Sequence, residues 1–308
     1  MPVTQSWTAS IERQLTKTLA AHIAYVGSES YHQTVNIDLN PGIYANGGNR
    51  TRYPDFSTIF ENASIGTASY NSLQASIEEQ IWKGLQFHSS FTWSKVLDTQ
   101  GLNDSAFFSA GLPNPFNIDF NRGIAEMNIR LVSITNFVYD APLLNGHNNL
   151  LRQIAGGWEV SGIWTLQSGY PFGIVGGDGN NNSESLQGGD RGDFVPGVPW
   201  EVHMGSKAHW LNNYFNPLAF VVNPPGTFGD TGKNFLTGPG MNTADIAFMK
   251  NWHFGDRKLQ FRCEMFNAFN HPDFGMPDND PSTSNVGQIT SMGPIAPRVI
   301  QLGLKFAF

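Results

Sequence analysis

Three places in this 308-residue sequence carry residue types suited to chemistry. His203 and His209 stand six apart and offer imidazole nitrogens to a metal, but no third ligand stands at a spacing that completes a site. The run Asp178-Gly179-Asn180-Asn181-Asn182 has the oxygen-rich look of a calcium loop. It lacks the glycine at the sixth position and the distant bidentate glutamate, so a flexible polar loop is the better reading. Arg191-Gly192-Asp193 matches an adhesion tripeptide, a length that chance supplies freely. There is no His-Glu-x-x-His, no Cys-x-x-Cys, no phosphate-binding glycine loop and no nucleophile elbow. The residues therefore predict no catalytic site, no metal, no cofactor and no enzyme. What remains is binding. The stretch 169–242 is rich in Gly, Asn and Pro and carries Trp200, Trp210, Tyr214 and Phe215. Loops of that length are uncommon unless functional. Such aromatics beside Asn and Asp grip a sugar or peptide as readily as they pack into a lid, and both readings stand.

The elements that position this loop show first in the composition. Charged residues make up only 14% of the chain, against the ~25% of ordinary soluble domains, while aromatics reach 13% and glycines number 33. Few charges, many rings and many turn formers suit an all-β chain with apolar surface to hide. The net charge of −7, with no basic run, excludes a nucleic-acid partner. Cys263 is the single cysteine, so no internal disulfide forms. No apolar stretch approaches the ~18 residues of a transmembrane helix, a test that β-barrels escape because their strands alternate.

That alternation is present. Trp7, Ala9 and Ile11 oppose Thr8, Ser10 and Glu12, and Leu19, Ala21, Ile23 and Tyr25 continue the apolar row. Leu73, Ala75 and Ile77 oppose Ser72, Gln74 and Ser76. Leu85, Phe87, Phe91 and Trp93 oppose Gln86, His88, Ser90, Thr92 and Ser94. The window 129–139 alternates poorly and reads as a strand on β-propensity alone. Trp158, Val160, Trp164 and Leu166 form another apolar row, 244–252 and 259–266 pair around a tight turn, and Ile300 to Phe308 makes the last strand. That is about nine strands of the ~9–11 residues a tilted membrane strand needs.

The connections alternate in length. Those at 15–18, 81–84 and 253–258 are short and 141–156 is intermediate, while 28–69, 96–127, 169–242 and 271–296 are long. Outer-membrane barrels pair short periplasmic turns with long external loops. A β-sandwich has no reason to sort its loops by length in this way. On this reading Trp7, Tyr25 and Trp93 fall at the outer ends of lipid-facing rows, and Trp158, Trp252 and Phe308 at the inner ends, as two interfacial aromatic belts. The predicted fold is an all-β, antiparallel up-and-down transmembrane barrel, partial in this chain, in a bacterial outer membrane.

Several segments resemble TonB-dependent outer-membrane receptors of the Oar-like kind. They are Tyr70-Asn71-Ser72-Leu73-Gln74-Ala75-Ser76, Lys83-Gly84-Leu85-Gln86-Phe87 leading to Phe91-Thr92-Trp93-Ser94-Lys95, and Gly157-Trp158-Glu159-Val160-Ser161-Gly162 with Gln167-Ser168-Gly169-Tyr170-Pro171-Phe172. Phe215-Asn216-Pro217 to Phe220, Phe261-Arg262 to Phe266-Asn267-Ala268-Phe269-Asn270-His271, and the terminal Gly303-Leu304-Lys305-Phe306-Ala307-Phe308 continue the series in order. The resemblance implies TonB-coupled nutrient uptake through a barrel of about 22 strands. It also implies a preceding plug and a carboxypeptidase-regulatory-like domain. Neither is expected within 1–308, and Met1-Pro2-Val3-Thr4-Gln5 lacks the basic start and apolar core of an export signal. The expectation is thus a C-terminal receptor fragment. Its implied partners are outer-membrane lipid, the barrel assembly machinery reading Phe306 and Phe308, TonB only through the missing N-terminal part, and a small nutrient, glycan or peptide. The alternatives are a secreted β-sandwich that binds glycans and a structural outer-membrane barrel without transport.

Overall fold

The computed structural model describes residues 1–99, 112–142, 153–176, 181–186, 189–202 and 205–308. Nine long strands build one sheet: β1 (Val3–Gln14), β2 (Leu19–Asp38), β3 (Phe60–Trp82), β4 (Leu85–Asp98), β5 (Leu131–Asp140), β6 (Trp158–Gln167), β7 (Met241–Phe254), β8 (Arg257–Phe266) and β9 (Val299–Ala307). They follow one another across the sheet in chain order, and all eight neighbouring pairs are antiparallel. One sheet without a facing partner is not a sandwich, which sets that alternative aside. β1 and β9 do not pair with each other, so the sheet has two free edges.

Directly paired residues on antiparallel strands point to the same face, so the register carries one assignment across the wall. Ile11 pairs with Ile23 and Tyr25 with Leu73, then Leu73 with Trp93 and Trp93 with Leu131. Farther on, Trp164 pairs with Ala244, Phe248 with Cys263 and Cys263 with Leu302. Every apolar row read from the sequence lies on this single face, and most of its large side chains remain solvent-accessible. Ile11 is 70% exposed and Leu304 is 74% exposed. A soluble protein would bury such a surface; a lipid-facing one need not.

The turn end is built tightly. Lys83 and Gly84 both have positive φ, 51° and 87°, the left-handed pair that closes a two-residue hairpin in step with strand twist. Trp82 pairs with Leu85 across it. Gly255-Asp256 closes β7 onto β8 in the same space, so the turn expected over 253–258 shrinks to two residues.

The loop end departs from the expectation. The connection expected over 28–69 is 39–59, because β2 runs 20 residues and β3 runs 23. At ~3.3 Å per residue both reach well beyond a bilayer core. Period-two reading missed the extension for a local reason: the register slips between Ser30 and Thr34, with His32 at φ 55°, and that bulge resets the alternation. β4 likewise continues to Asp98, where Leu97 and Asp98 pair with Ile124 and Gly123. The β8–β9 connection opens on a turn set by two left-handed asparagines, Asn267 (φ 49°) and Asn270 (φ 52°). The Asn267 amide donates to His271 O (2.9 Å) and Ala296 O (3.1 Å), while its backbone N–H donates to Asp245 Oδ1 (2.9 Å). The Phe266-to-His271 motif is therefore a strand stop.

Candidate functional site

At the loop end the connection between β6 and β7 folds into a cap. Pro171–Phe172 pairs with Leu236–Thr237, and Asp193–Phe194 with Phe220–Val221. A short helix, α1 (Lys207–Asn212), is capped by Ser206 accepting from His209 N–H. These pieces enclose an apolar core of Phe172, Ile174, Phe215, Ala219, Phe220 and Leu236. Asn216 shapes it: its side chain accepts from Leu218 N–H and starts the turn Pro217–Ala219, which brings Phe220 beside Phe215 at 5.5 Å. The β8–β9 connection packs on through Tyr214 N–H to Gly287 O (2.8 Å) and Ile289 N–H to Leu211 O (2.8 Å). Lys233 ties the cap to the wall with an ion pair to Asp98 at 2.6 Å.

The four aromatic candidates divide. Phe215 is 1% exposed and belongs to the core, so it offers no face to a ligand. Trp200 packs edge-on against Phe235 at 6.0 Å. Trp210 stands between Tyr214 (5.3 Å) and Phe274 (5.2 Å) and stays partly exposed, as Tyr214 does. Tyr214 Oη donates to Thr237 O (2.7 Å), and burial pushes its pKa up to about 12. Of the two roles left open, lid packing accounts for Phe215; Trp200 and Tyr214 pack against that core while staying partly exposed, and Trp210 packs on Tyr214 outside it.

The Arg191-Gly192-Asp193 tripeptide is built in rather than displayed. The Arg191 guanidinium lies 3.9 Å over the Phe120 ring and donates to Phe120 O and Thr231 O; burial lowers its pKa to about 10. Asp193 Oδ1 accepts from Asp230 N–H (2.8 Å). The neighbouring Asp190 is buried, which raises its pKa; bonds from Ser183 N–H (2.6 Å) and Ser183 Oγ (2.8 Å) counter part of that. His203 lies outside the described residues, as do Asp178, Gly179 and Asn180 of the supposed calcium run. His209 is exposed on α1, and among the described residues no three His, Cys, Asp or Glu side chains converge on a metal position.

The lumen-side face of the wall bears an open pocket of about 480 Å³ between β4 and β8. Gln86, Asn136, Ser161, Asp245 and Glu264 line it beside the apolar Ile163. The apolar rows lie on the opposite, outer face.

The aromatics expected at a membrane interface lie on those outer rows. Trp7 lies across Gly27, where a Cβ would fall 2.3 Å from the indole nitrogen, so glycine alone leaves room for the ring. Tyr25 Oη donates to Asn71 Oδ1 (2.6 Å), and Trp93 is 51% exposed. At the turn end, Trp158 Nε1 donates to Ile154 O (2.9 Å) and Trp252 Nε1 to Gln153 O (3.2 Å). Between them Lys250 interrupts the outer row, a residue that sequence reading passed over. Only 2% exposed, it donates to Gly156 O with both indoles 5.8 Å from its ammonium. Phe306 and Phe308 are exposed, with their rings 6.1 Å apart.

A meander with an apolar exterior, a polar interior and a folded cap over one end is the wall of an outer-membrane β-barrel. The comparison with known families agrees: residues 1–301 match the family described as outer membrane beta barrel domain, and the chain belongs to it. It is a protein of the outer membrane. The fold is similar to that of the outer membrane transporter YddB from Escherichia coli, with a TM-score of 0.52 at 13% identity, over 98% of this chain and 32% of that one. The chain thus spans about a third of the length of that transporter. No curated protein matches.

Proposed function

We propose that residues 1–308 serve as the C-terminal barrel portion of a TonB-dependent receptor of the Oar-like kind, taking up a nutrient that the external cap meets first. The observation that carries this reading is the cap itself. A barrel with only a structural role has no need of a separately cored domain over its mouth, fastened to the wall by Lys233 and Asp98. The ordered motifs from Tyr70 to Phe308 resemble that receptor class, and the likeness to a transporter wall accords with it. Short turns of such barrels face the periplasm, which puts the cap outside the cell. Trp210 and Tyr214 at its rim then offer stacking surface to a glycan or peptide.

The test uses cells carrying the intact locus and panels of fluorescently labelled oligosaccharides and oligopeptides. At least one panel member should accumulate, and accumulation should stop when the proton gradient is dissipated or TonB is deleted. Accumulation that survives both treatments overturns energy coupling. Surface binding without accumulation leaves a structural barrel.

A further inference from the structure

We infer that residues 153–156, in the connection from β5 to β6, form a lipid-contacting flap on the outer face of the wall at its turn end, with Lys250 as its latch and Ile154 turned into the membrane. The inference rests on the barrel family alone and stands whether or not the receptor reading does.

The ladder between β5 and β6 runs out where Ala141 N–H donates to Trp158 O (2.7 Å) and Gly157 N–H to Pro142 O (3.3 Å). Gly157 has φ 65°, a left-handed conformation that turns the chain off the line of β6. Residues 153–155 make one helical turn. Three carbonyls of this piece face the wall, and each meets a donor there. Gln153 O accepts from Trp252 Nε1 (3.2 Å), Ile154 O from Trp158 Nε1 (2.9 Å) and Gly156 O from Lys250 Nζ. All three donors stand on the outer face. Lys250 pairs with Trp158 on one side and Phe261 on the other, and Trp252 pairs with Leu259. The end of this connection therefore lies against the outside of the wall.

The latch accounts for a lysine that a lipid-facing row otherwise excludes. A cation there is costly unless it is paired or reaches water. Lys250 is only 2% exposed, so its charge is met by the Gly156 carbonyl and by two indole faces at 5.8 Å. What covers the flap's other side follows from the apolar face around it. Lys250 stands four positions before Phe254, which at ~3.4 Å per residue and ~40° of tilt puts it about 10 Å above the end of β7. Phe254, nearer the turn end on the same face, is 58% exposed. Leu304, which continues the row from Lys250 through Phe261, is 74% exposed. The apolar face thus continues both below the flap and beside it. Ile154 is 64% exposed, while the carbonyls of 153, 154 and 156 turn inward. An element with its polar groups against the wall and an apolar side chain outward fits the boundary between lipid headgroups and acyl chains. Its partner is the phospholipid leaflet on the turn side.

The test places an environment-sensitive nitrobenzoxadiazole probe on the full-length protein, folded into phosphatidylcholine vesicles with its native cysteines, Cys263 included, changed to serine. Ile154→Cys carries the probe, with Leu304→Cys as the lipid standard and Asp256→Cys, in the β7–β8 turn, as the water standard. The probe at 154 should be quenched by doxyl-labelled lipid as it is at 304, and weakly by iodide supplied on both sides. Iodide quenching as free as at 256 overturns the lipid contact. Shielding from both quenchers overturns it too, because protein then covers the flap. Lys250→Met keeps an apolar stem and removes the ammonium. Iodide quenching at 154 should then rise about threefold as the flap opens, with 304 and the folded mobility on unheated gels unchanged. No rise in a folded Lys250→Met protein overturns the latch. Trp158→Phe with Trp252→Phe leaves Lys250 in place and removes the two indole donors, so it tests the same opening if the lysine variant does not fold; an unchanged probe there counts equally against the latch.

Discussion

The wall and the cap are built on opposite principles, though one chain makes both. The wall keeps its apolar side chains outside, with Leu304 at 74% exposure, and buries little except small or polar residues such as Ala24 and Ser72. Its order comes from the backbone ladder, and lipid is the solvent that makes the exposed rows acceptable. The cap does the reverse. It closes Phe172, Phe215 and Phe220 around Ala219, which is 0% exposed, and has little regular ladder beyond two two-residue pairings. Around it, asparagine and arginine side chains satisfy backbone carbonyls that no strand reaches. Among the described residues the hydrophobic core cluster lies in the cap and not in the wall.

The substitution with the largest expected effect is Phe215→Ala. It removes a fully buried ring and should cost the cap about 3–5 kcal/mol. In the full-length protein, urea titration followed by tryptophan fluorescence should show a cap transition at lower denaturant, while the folded mobility of the barrel on unheated gels stays unchanged. Loss of the wall along with the cap would show that the two regions are one cooperative unit.

Next comes a charge on the outer face. Phe91 lies mid-strand in β4 on the lipid side, pairing with Ala75 and Ser133. Phe91→Lys should destabilise the assembled barrel by roughly 2–4 kcal/mol, the midplane cost of a lysine. Ser90→Lys, facing the lumen, should stay within about 0.5 kcal/mol. Phe87 stands only two residues from the start of β4, so a lysine there reaches the interface and should cost about 0–1 kcal/mol. Folding into lipid vesicles measures all three. Equal losses at Phe91 and Ser90 would mean that the wall has no lipid side.

The same contrast decides what the sequence made legible. The wall could be read because a two-sided strand writes its environment into every second residue. Leu85, Phe87, Phe91 and Trp93 suffice to place β4 and its faces. Even the poorly alternating 129–139 becomes intelligible in register: Leu131, Phe137 and Tyr139 face out, while Val132, Ile134 and Val138 take the other face, Val138 lining the pocket. A lumen wall that is partly apolar erases the signal. The outer halves of β2 and β3 were lost at the bulge after Ser30, where the period breaks. In the cap no period exists to read. Phe215 and Trp210 look alike in sequence, and only the fold makes one a core residue and the other a rim residue. Lys250 was invisible for a different reason: of its neutral partners, only the Trp252 indole is near in sequence, while Gly156 O and the Trp158 indole come from more than ninety residues earlier in the chain.

A smaller effect sharpens the comparison at the outer loops, where polar groups do the holding. Asn40 is 0% exposed; its amide donates to Tyr53 O, Phe56 O and Ser57 O, and its Oδ1 accepts from Tyr53 N–H (3.1 Å). Asn40→Ala strands several buried backbone groups at once and should cost roughly 1–3 kcal/mol, confined to 39–59. Limited proteolysis should show faster cutting there, with the cap and wall fragments intact.

The smallest effect is a titration. Tyr214 lies at the rim of the cap with its hydroxyl on Thr237 O (2.7 Å) and its ring near Phe172 at 6.4 Å. Burial raises its pKa from 10.0 to about 12. The folded state therefore favours the neutral phenol, and linkage gives the sign. The contribution to cap stability is fully present below the ordinary value and is lost as pH rises through the raised one, a window of 10.0 to about 12. Tyr214→Phe keeps the ring and removes the hydroxyl bond, at a cost of about 0.5–1.5 kcal/mol at neutral pH. The stability of this variant should fall less across the alkaline window. The difference in tyrosinate absorbance between the two proteins isolates this one group among 8 tyrosines. A difference step near the upper end of that window places Tyr214 in the enclosed part of the cap. A step at the ordinary value would return it to water, and with it the lid half of the cap's construction. Trp210 would then be the partner of an open aromatic shelf rather than the edge of a packed one.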